Sequence, residues 1–335
     1  MKQLLICLTM LASCWLCTLA EELPAAEPID IGSRRELFVD DYLVDRFVGK
    51  AELRLHRPTP REIVFNCDKP WEGNWSGLVT YIQDGDTYRM YYTGGQWKRK
   101  RGTICYAESK DGIHWTRPEL GLIEFNGSKK NNIILPAEGM SAFVPFKDSN
   151  PDCKPAERYK ALAARSGGLY AFASPDGVRW RRLGHKPLIT KGKFDSQNLA
   201  FWDSVRGRYV AYFREMRGPN DEVRPPGPQL GLDEQGPARD VLTSTSPDFL
   251  RWSEPKWLQY PGSPREQIYF NQVRPYYRAA HLFVGFPGRF MAGREMEKGL
   301  PLLQHPSYKY ASISETLFMT SRDGLHFSRW SWSGW

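Results

Sequence analysis

The side chains able to do chemistry in this chain are carboxylates set among aromatic and cationic residues. Asp148, Asp195, Glu215, Glu72 and Asp41 are the candidate acids, and Trp75, Trp97, Arg165, Arg214, Gln267 and Arg289 are the candidate binding residues around them. Paired carboxylates work as acid and base, or as acid and nucleophile, on a glycosidic bond. One of the pair needs a raised pKa, which burial or a like charge supplies. Aromatic faces stack on pyranose rings, so Trp75 and Trp97 suit a sugar. Each acid also has a plainer reading, as a turn residue or as the partner of a local Arg. For Asp41 the plainer reading is the stronger.

Other chemistries find little support. The sequence has no Gly-x-Ser-x-Gly, no His-Glu-x-x-His, no P-loop and no dinucleotide fingerprint. The six His are scattered, and His114 and His326 fall in turns. No metal and no cofactor is expected.

A repeat positions these residues. Ser109-Lys-Asp-Gly-Ile-His-Trp115 returns as Ser174-Pro-Asp-Gly-Val-Arg-Trp180 and as Ser321-Arg-Asp-Gly-Leu-His-Phe327, and less closely as Ser246-Pro-Asp-Phe-Leu-Arg-Trp252. The final aromatics recur roughly every 70 residues, a period that marks repeat architectures. Aromatic and β-branched runs precede each turn, as in Tyr88–Thr93 and Ile104–Glu108, and they read as strands. Asp-Gly supplies the tight turn. Four antiparallel strands per unit, repeated radially, are β-propeller blades. A β-sandwich with a frequent hairpin is the alternative.

The fold class is therefore all-β, with blades expected at about 76–118, 143–183, 195–255 and 267–330. Residues 36–66 are expected to hold N-terminal strands that close the ring, at 36–45 and 54–64. The chain stops just after the fourth turn, which predicts a ring incomplete at the C-terminus, since an open ring leaves strand edges unpaired. In antiparallel blades the start of the first strand and the end of the second share one mouth. That rule gathers the candidate residues there, with the Pro- and Gly-rich insertion 217–240 springing from the same place.

Residues 1–20 read as a secretory leader, with Cys14 in a lipobox-like Leu-Ala-Ser-Cys as a second possibility, and 21–35 read as a linker. Secretion or a periplasmic location follows, with no membrane span. Cys67, Cys105 and Cys153 remain after the leader, an odd number that excludes a disulfide scaffold. The net charge of +8 is partly local, at Lys98–Arg101. It reads first as a solvated loop and second as attraction to an acidic glycan. No nucleic-acid motif is present.

With these residues in hand, the chain resembles the five-bladed β-propeller glycoside hydrolases of families 32, 43, 62 and 68. The resemblance covers most of 36–330 and rests on three features. These are the repeated turns, the run Asp84-Gly-Asp-Thr-Tyr-Arg-Met-Tyr-Tyr92, and Phe146-Lys-Asp-Ser-Asn-Pro151. It implies three acids from the first three blades. Asp148 matches an Arg-Asp-Pro-like stabiliser, although Ser149 replaces the Pro. Asp195 or Glu215 takes the place of the acid, and Glu72, or less well Asp41, that of the nucleophile or base. It also implies a carbohydrate substrate, a plant or algal polysaccharide or oligosaccharide. A non-catalytic glycan-binding propeller and a related glycoside phosphorylase are the alternatives. The turn is similar to the sialidase Asp-box, but Gly follows Asp directly, which argues against a sialidase.

Overall fold

Two side chains build each Ser-x-Asp turn. Ser109 Oγ accepts the N–H groups of Asp111 and Gly112, and Asp111 Oδ1 accepts those of Ile113 and His114. Trp115 Nε1 donates to the Gly112 carbonyl at 3.0 Å. The turn at 174–180 repeats all of these bonds. Short polar side chains thus take the N–H groups that the reversal leaves unpaired. The second Asp oxygen bonds the side chain three residues on, which is His114, Arg179, Arg251 or His326.

The computed structural model describes residues 27–56, 58–96, 101–137, 140–223, 238–294 and 311–330. It divides into two units, Met1–Arg54 and Leu55–Trp335. The leader, Trp97 and the basic run 98–100 lie outside the described residues, as does most of the 217–240 insertion. No helix of the described residues is long and apolar enough to cross a membrane.

The described part of the first unit holds no strand. The strand expected at 36–45 gives way to turns. Asp40 Oδ1 accepts the Tyr42 N–H at 3.3 Å, and the Val44 N–H bonds the Asp41 carbonyl at 2.9 Å. The neighbouring strand expected at 54–64 is also absent from the described residues. Alternating hydrophobicity marks a strand only where a partner strand takes up the N–H and C=O groups.

The second unit is all-β, with one short 3₁₀ turn at Pro155–Glu157 among the described residues. Its first sheet is β1 (Trp75–Asp84), β2 (Thr87–Gln96) and β3 (Arg101–Ser109), with an outer strand split into β4 (Trp115–Thr116) and β5 (Ile133–Pro136). The second is β6 (Met140–Lys147), β7 (Tyr159–Arg165), β8 (Gly168–Ser174) and β9 (Arg181–Leu183). The third is β10 (Leu199–Asp203), β11 (Arg208–Arg217), β12 (Ala238–Ser246) and β13 (Lys256–Trp257). The fourth is the same pattern interrupted midway. One half is β14 (Gln267–Phe270), whose partners are given next, and the other starts with β15 (Arg274–Tyr276). Beside them run β16 (Ala279–Gly285) and β17 (Gly288–Arg294), then β18 (Ala311–Thr316), β19 (Met319–Ser321) and β20 (Ser328–Arg329). The pairings are β14-β17-β18 and β15-β16-β19-β20, all antiparallel.

The first strands meet at the centre. Gln197, just before β10, donates to the Val79 carbonyl of β1 at 2.9 Å, and Gln272 donates to Gln197 Oε1 at 3.4 Å. Non-glycine residues in the left-handed region occur in β1, in β6 and between β14 and β15. They are Leu78 (φ 52°), Ala142 (φ 50°) and Gln272 (φ 44°). The first two fall where the register of β1–β2 and β6–β7 slips.

Keys between successive sheets fix their order. In register, Tyr88, Tyr159 and Tyr209 stand opposite the Ser that opens their own sheet's turn. Three residues on come Tyr91, Leu162 and Tyr212. Tyr212 donates to the Gly324 carbonyl in the fourth turn at 2.8 Å. Tyr91 lies so close to Gly177 that a Cβ there would come within 2.6 Å of its hydroxyl. The third turn departs from both. Phe249 replaces the Gly at φ 67°, is fully buried, and packs edge-on against Phe146 in a core cluster with Leu162. Where the turn has no side chain the preceding sheet offers a Tyr, and where it has a Phe the preceding sheet offers a Leu.

Candidate active site

Antiparallel register sorts the candidate residues between two ends of the sheets. Trp75 lies opposite Gly95, Met140 opposite Arg165, and Leu199 opposite Tyr212. These pairs mark the end where first strands start and second strands finish, and Trp75, Arg165, Asp195, Arg214, Glu215, Gln267 and Arg289 belong to it.

Asp148 does not, which corrects the expectation that it shares a mouth with Arg165. It follows Lys147, the residue paired with Tyr159 at the far end of β6–β7. Seven strand residues at about 3.3 Å each separate the two ends. Asp148 Oδ2 accepts from the Lys160 ammonium and from the Tyr209 hydroxyl at 2.7 Å, and Oδ1 accepts the Asn150 N–H at 2.9 Å. Asp84 and Asp203 close β1 and β10 at this same end. Asp84 accepts from Lys147 at 2.5 Å, from Arg89 at 2.9 Å and from the Tyr159 hydroxyl. Asp203 holds Arg206 at 3.0 Å, and Arg206 donates to the Arg322 carbonyl. In all three cases the acid ties its sheet to the next.

Glu72 is locked as well. Oε1 accepts from Arg117 at 2.7 Å and from the Tyr92 hydroxyl at 2.6 Å, while Oε2 accepts the Lys69 N–H at 2.9 Å. Arg117 comes from the insertion that splits the outer strand of the first sheet, so this pair braces the strand entry. Asp41 lies in the first unit. Trp75 is 37% exposed and Arg165 is exposed at its strand end.

The third and fourth sheets carry the remaining candidates. The Lys193 N–H bonds the Arg214 carbonyl at 2.7 Å, which brings the lead-in to β10 alongside β11. Asp195, 65% exposed at its side chain, is ion-paired with Arg214. Arg214 lies over the Tyr269 ring at 5.2 Å, and Arg239 at 5.4 Å. Arg239 also lies over Phe290 at 4.2 Å and donates to Gln267 Oε1 at 2.6 Å. Arg289 is spoken for: it holds Glu266 at 2.5 Å and pairs with Glu315. Sequence reasoning missed Arg239 and Tyr269. The rule used for the mouth counted first and second strands, but a third strand starts where the second ends, and Arg239 stands at that start.

Glu215 differs from every other buried acid. Five carboxylates are buried among the described residues: Glu72, Asp148, Asp203, Glu215 and Asp240. Four hold a cation directly, Asp240 through Arg217 at 2.8 Å. Glu215 holds none; its recorded bond is from the Met216 N–H to Oε1, at 2.8 Å. Burial pushes the Glu215 carboxyl up and the Asp195 charge adds to this, against the Met216 N–H and the more distant charges of Lys193 and Arg214. A buried, unpaired carboxyl of raised pKa is the form a general acid takes. No group of three or more His, Cys, Asp or Glu able to hold an ion occurs among the described residues.

No protein-family model matches the chain. Two uncharacterized proteins of Mycobacterium tuberculosis, from strains CDC 1551 / Oshkosh and ATCC 25618 / H37Rv, are 31% and 30% identical over 155 residues. Each match covers 44% of this chain and 43% of the relative, so less than half of those proteins is spanned. Among solved structures, an N-acetylgalactosamine deacetylase from F. plautii in complex with blood group B trisaccharide aligns at TM-score 0.46. It is 16% identical and covers 78% of this chain and 66% of that one. A thermostable family-43 glycoside hydrolase aligns at TM-score 0.46 and 10% identity, over 78% and 74%. An α-L-arabinofuranosidase from Fusarium graminearum aligns at 0.43 and 11% identity, over 75% and 65%. Likenesses this distant assign no residue and no substrate.

Proposed function

We propose that this chain is a secreted glycoside hydrolase acting on a plant or algal polysaccharide or oligosaccharide, with its sheets the blades of a five-bladed ring. One observation carries the reading: Glu215 is the buried acid left without a cation. With its carboxyl pushed up by burial, it is the proton donor to the leaving glycosidic oxygen. Asp195, ion-paired with Arg214, serves as the base or nucleophile. Tyr269 offers a ring face for the sugar. Asp148 and Glu72 act as ties between structural elements and take no chemical step.

One observation favours a second reading, a propeller that binds glycan without cutting it. Successive residues of a strand leave it on opposite faces, so Arg214, with Asp195, and Glu215 flank β11 from two sides. Carboxyls set on opposite faces of one strand favour binding over the division of acid and base work on one bond.

The test is sugar release from a panel of plant and algal polysaccharides by the full chain, with E215Q and D195N alongside. Release abolished by E215Q and strongly reduced by D195N is the expected result. Glycan binding without release by the wild type would establish the binding module. Turnover that requires inorganic phosphate would establish the phosphorylase.

A further inference from the structure

Two arginines at the mouth have one counterion, Asp195, between them among the described residues. Arg214 lies opposite Val241 and Met216 opposite Arg239, so the two arginines sit on one face of adjacent strands as diagonal neighbours. Both guanidinium groups lie over the same ring, Tyr269. Arg214 has the exposed Asp195 as its counterion. Arg239 has no carboxylate partner among the described residues. Its bond goes to the neutral amide of Gln267, and its Nε is buried without a hydrogen-bond partner. Arg289 and Arg217, also strand-borne at this end and partly buried, each meet a carboxylate. Burial, together with the like charge of Arg214, holds Arg239 below the ordinary guanidinium value, and a bound anion would offset both.

We infer that Arg239 and Arg214, both gathered at the Tyr269 ring, form an oxyanion subsite that takes the carboxylate or sulfate group of an acidic sugar. The inference rests on the glycan-binding part of the proposed function and narrows it to acidic glycans. Guanidinium forks match planar carboxylate and sulfate oxygens, and charge-assisted bonds are the stronger kind. Asp195 is exposed and sits at the edge of the pair, so the subsite borders the proposed chemistry.

Calorimetry on the full chain tests this with four probes: trigalacturonate, a sulfated galactan tetrasaccharide, neutral galactotriose and inorganic phosphate. At least one acidic saccharide is expected to bind about tenfold or more tighter than the neutral one, as a lost charge-assisted bond implies. R239Q is expected to erase that difference, while R239K, which keeps the charge, retains part of it. The preference is expected to shrink as salt rises. Equal affinity for acidic and neutral saccharides overturns the inference, and so does an acidic preference that R239Q leaves intact. Arg239-dependent binding of phosphate without any preference among saccharides also overturns it, because the anion would then not be borne by the sugar. Binding is read apart from turnover. An acidic preference with no sugar release sinks the hydrolase and leaves the subsite, whereas release from neutral glycans alone does the reverse.

Discussion

The two ends of the sheets hold the same residue types and use them differently. At one end Asp84, Asp148 and Asp203 close the first strands of three successive sheets, and each is matched by a cation, Arg89 with Lys147, Lys160, and Arg206. At the other, Glu215 is buried with no direct cation and Arg239 is half-buried with no carboxylate. An ionisable group left unmatched is costly to a fold, so its presence points away from stability and towards a ligand. A matched acid is a tie; an acid or a cation left unmatched marks a place for a ligand.

Substitutions at each end should break in different currencies. E215Q is expected to lower turnover by about 10²–10⁴-fold with no change in melting temperature. The protonated form does the work, so wild-type activity is present below the raised pKa of Glu215 and falls as pH rises through it. That limb is expected above the ordinary carboxylate range, and E215Q should abolish it; a limb inside the ordinary range would remove Glu215 from the role. D148A should do the opposite. It leaves the Lys160 ammonium buried and uncompensated and should cost about 3–5 kcal/mol in denaturant unfolding, while the remaining folded protein turns over normally. Loss of turnover without loss of stability would restore Asp148 to the chemistry.

Smaller effects sharpen the comparison. F249G opens a cavity between the second and third sheets and should cost about 2–4 kcal/mol, less whatever strain the left-handed backbone releases. Adding L162Y should recover part of it, with a coupling of about 0.5–3 kcal/mol in a double-mutant cycle. Smallest is an acid effect at the tied end. Against the upward pull of burial, bonds from Lys147 and Tyr159 and the charge of Arg89 lower Asp84 from 3.8 to about 2. A depressed carboxylate contributes stability above its unfolded value, and that contribution is lost as pH falls from about 4 to about 2. An unfolding free energy flat across that window in wild type, or equally steep in D84N, would show that the tie does not form.

Much of the fold was legible because it is written locally. Ser and Asp in each turn, and Trp in three of the four, bond groups within a few residues, so seven letters suffice to find them. The aromatic runs before each turn became strands for the same reason. The strand expected at 36–45 was not legible, since it depended on a partner strand and Asp40 and Asp41 could satisfy turns instead. Asp148 misled because Phe-Lys-Asp names a residue type, whereas its position past the end of β6 follows from pairing with β7. Glu215 was found as an acid, but its distinction lies in what is missing beside it. Arg239 was hidden by a rule that considered two strands of each sheet when three reach the mouth.

The Phe249 exchange carries a consequence for how such a chain can evolve. A repeat whose junctions were identical could be duplicated, deleted or shuffled as a cassette. Here Tyr91 meets a bare Gly177 while Leu162 shares its core with Phe249, so the second and third sheets fit each other and no other neighbour. Moving the third sheet behind the first would crowd Tyr against Phe, and setting Leu against Gly elsewhere would leave a hole. The order of the sheets is thus encoded in complementary volumes, and recombination between repeats would yield chains that cannot seat.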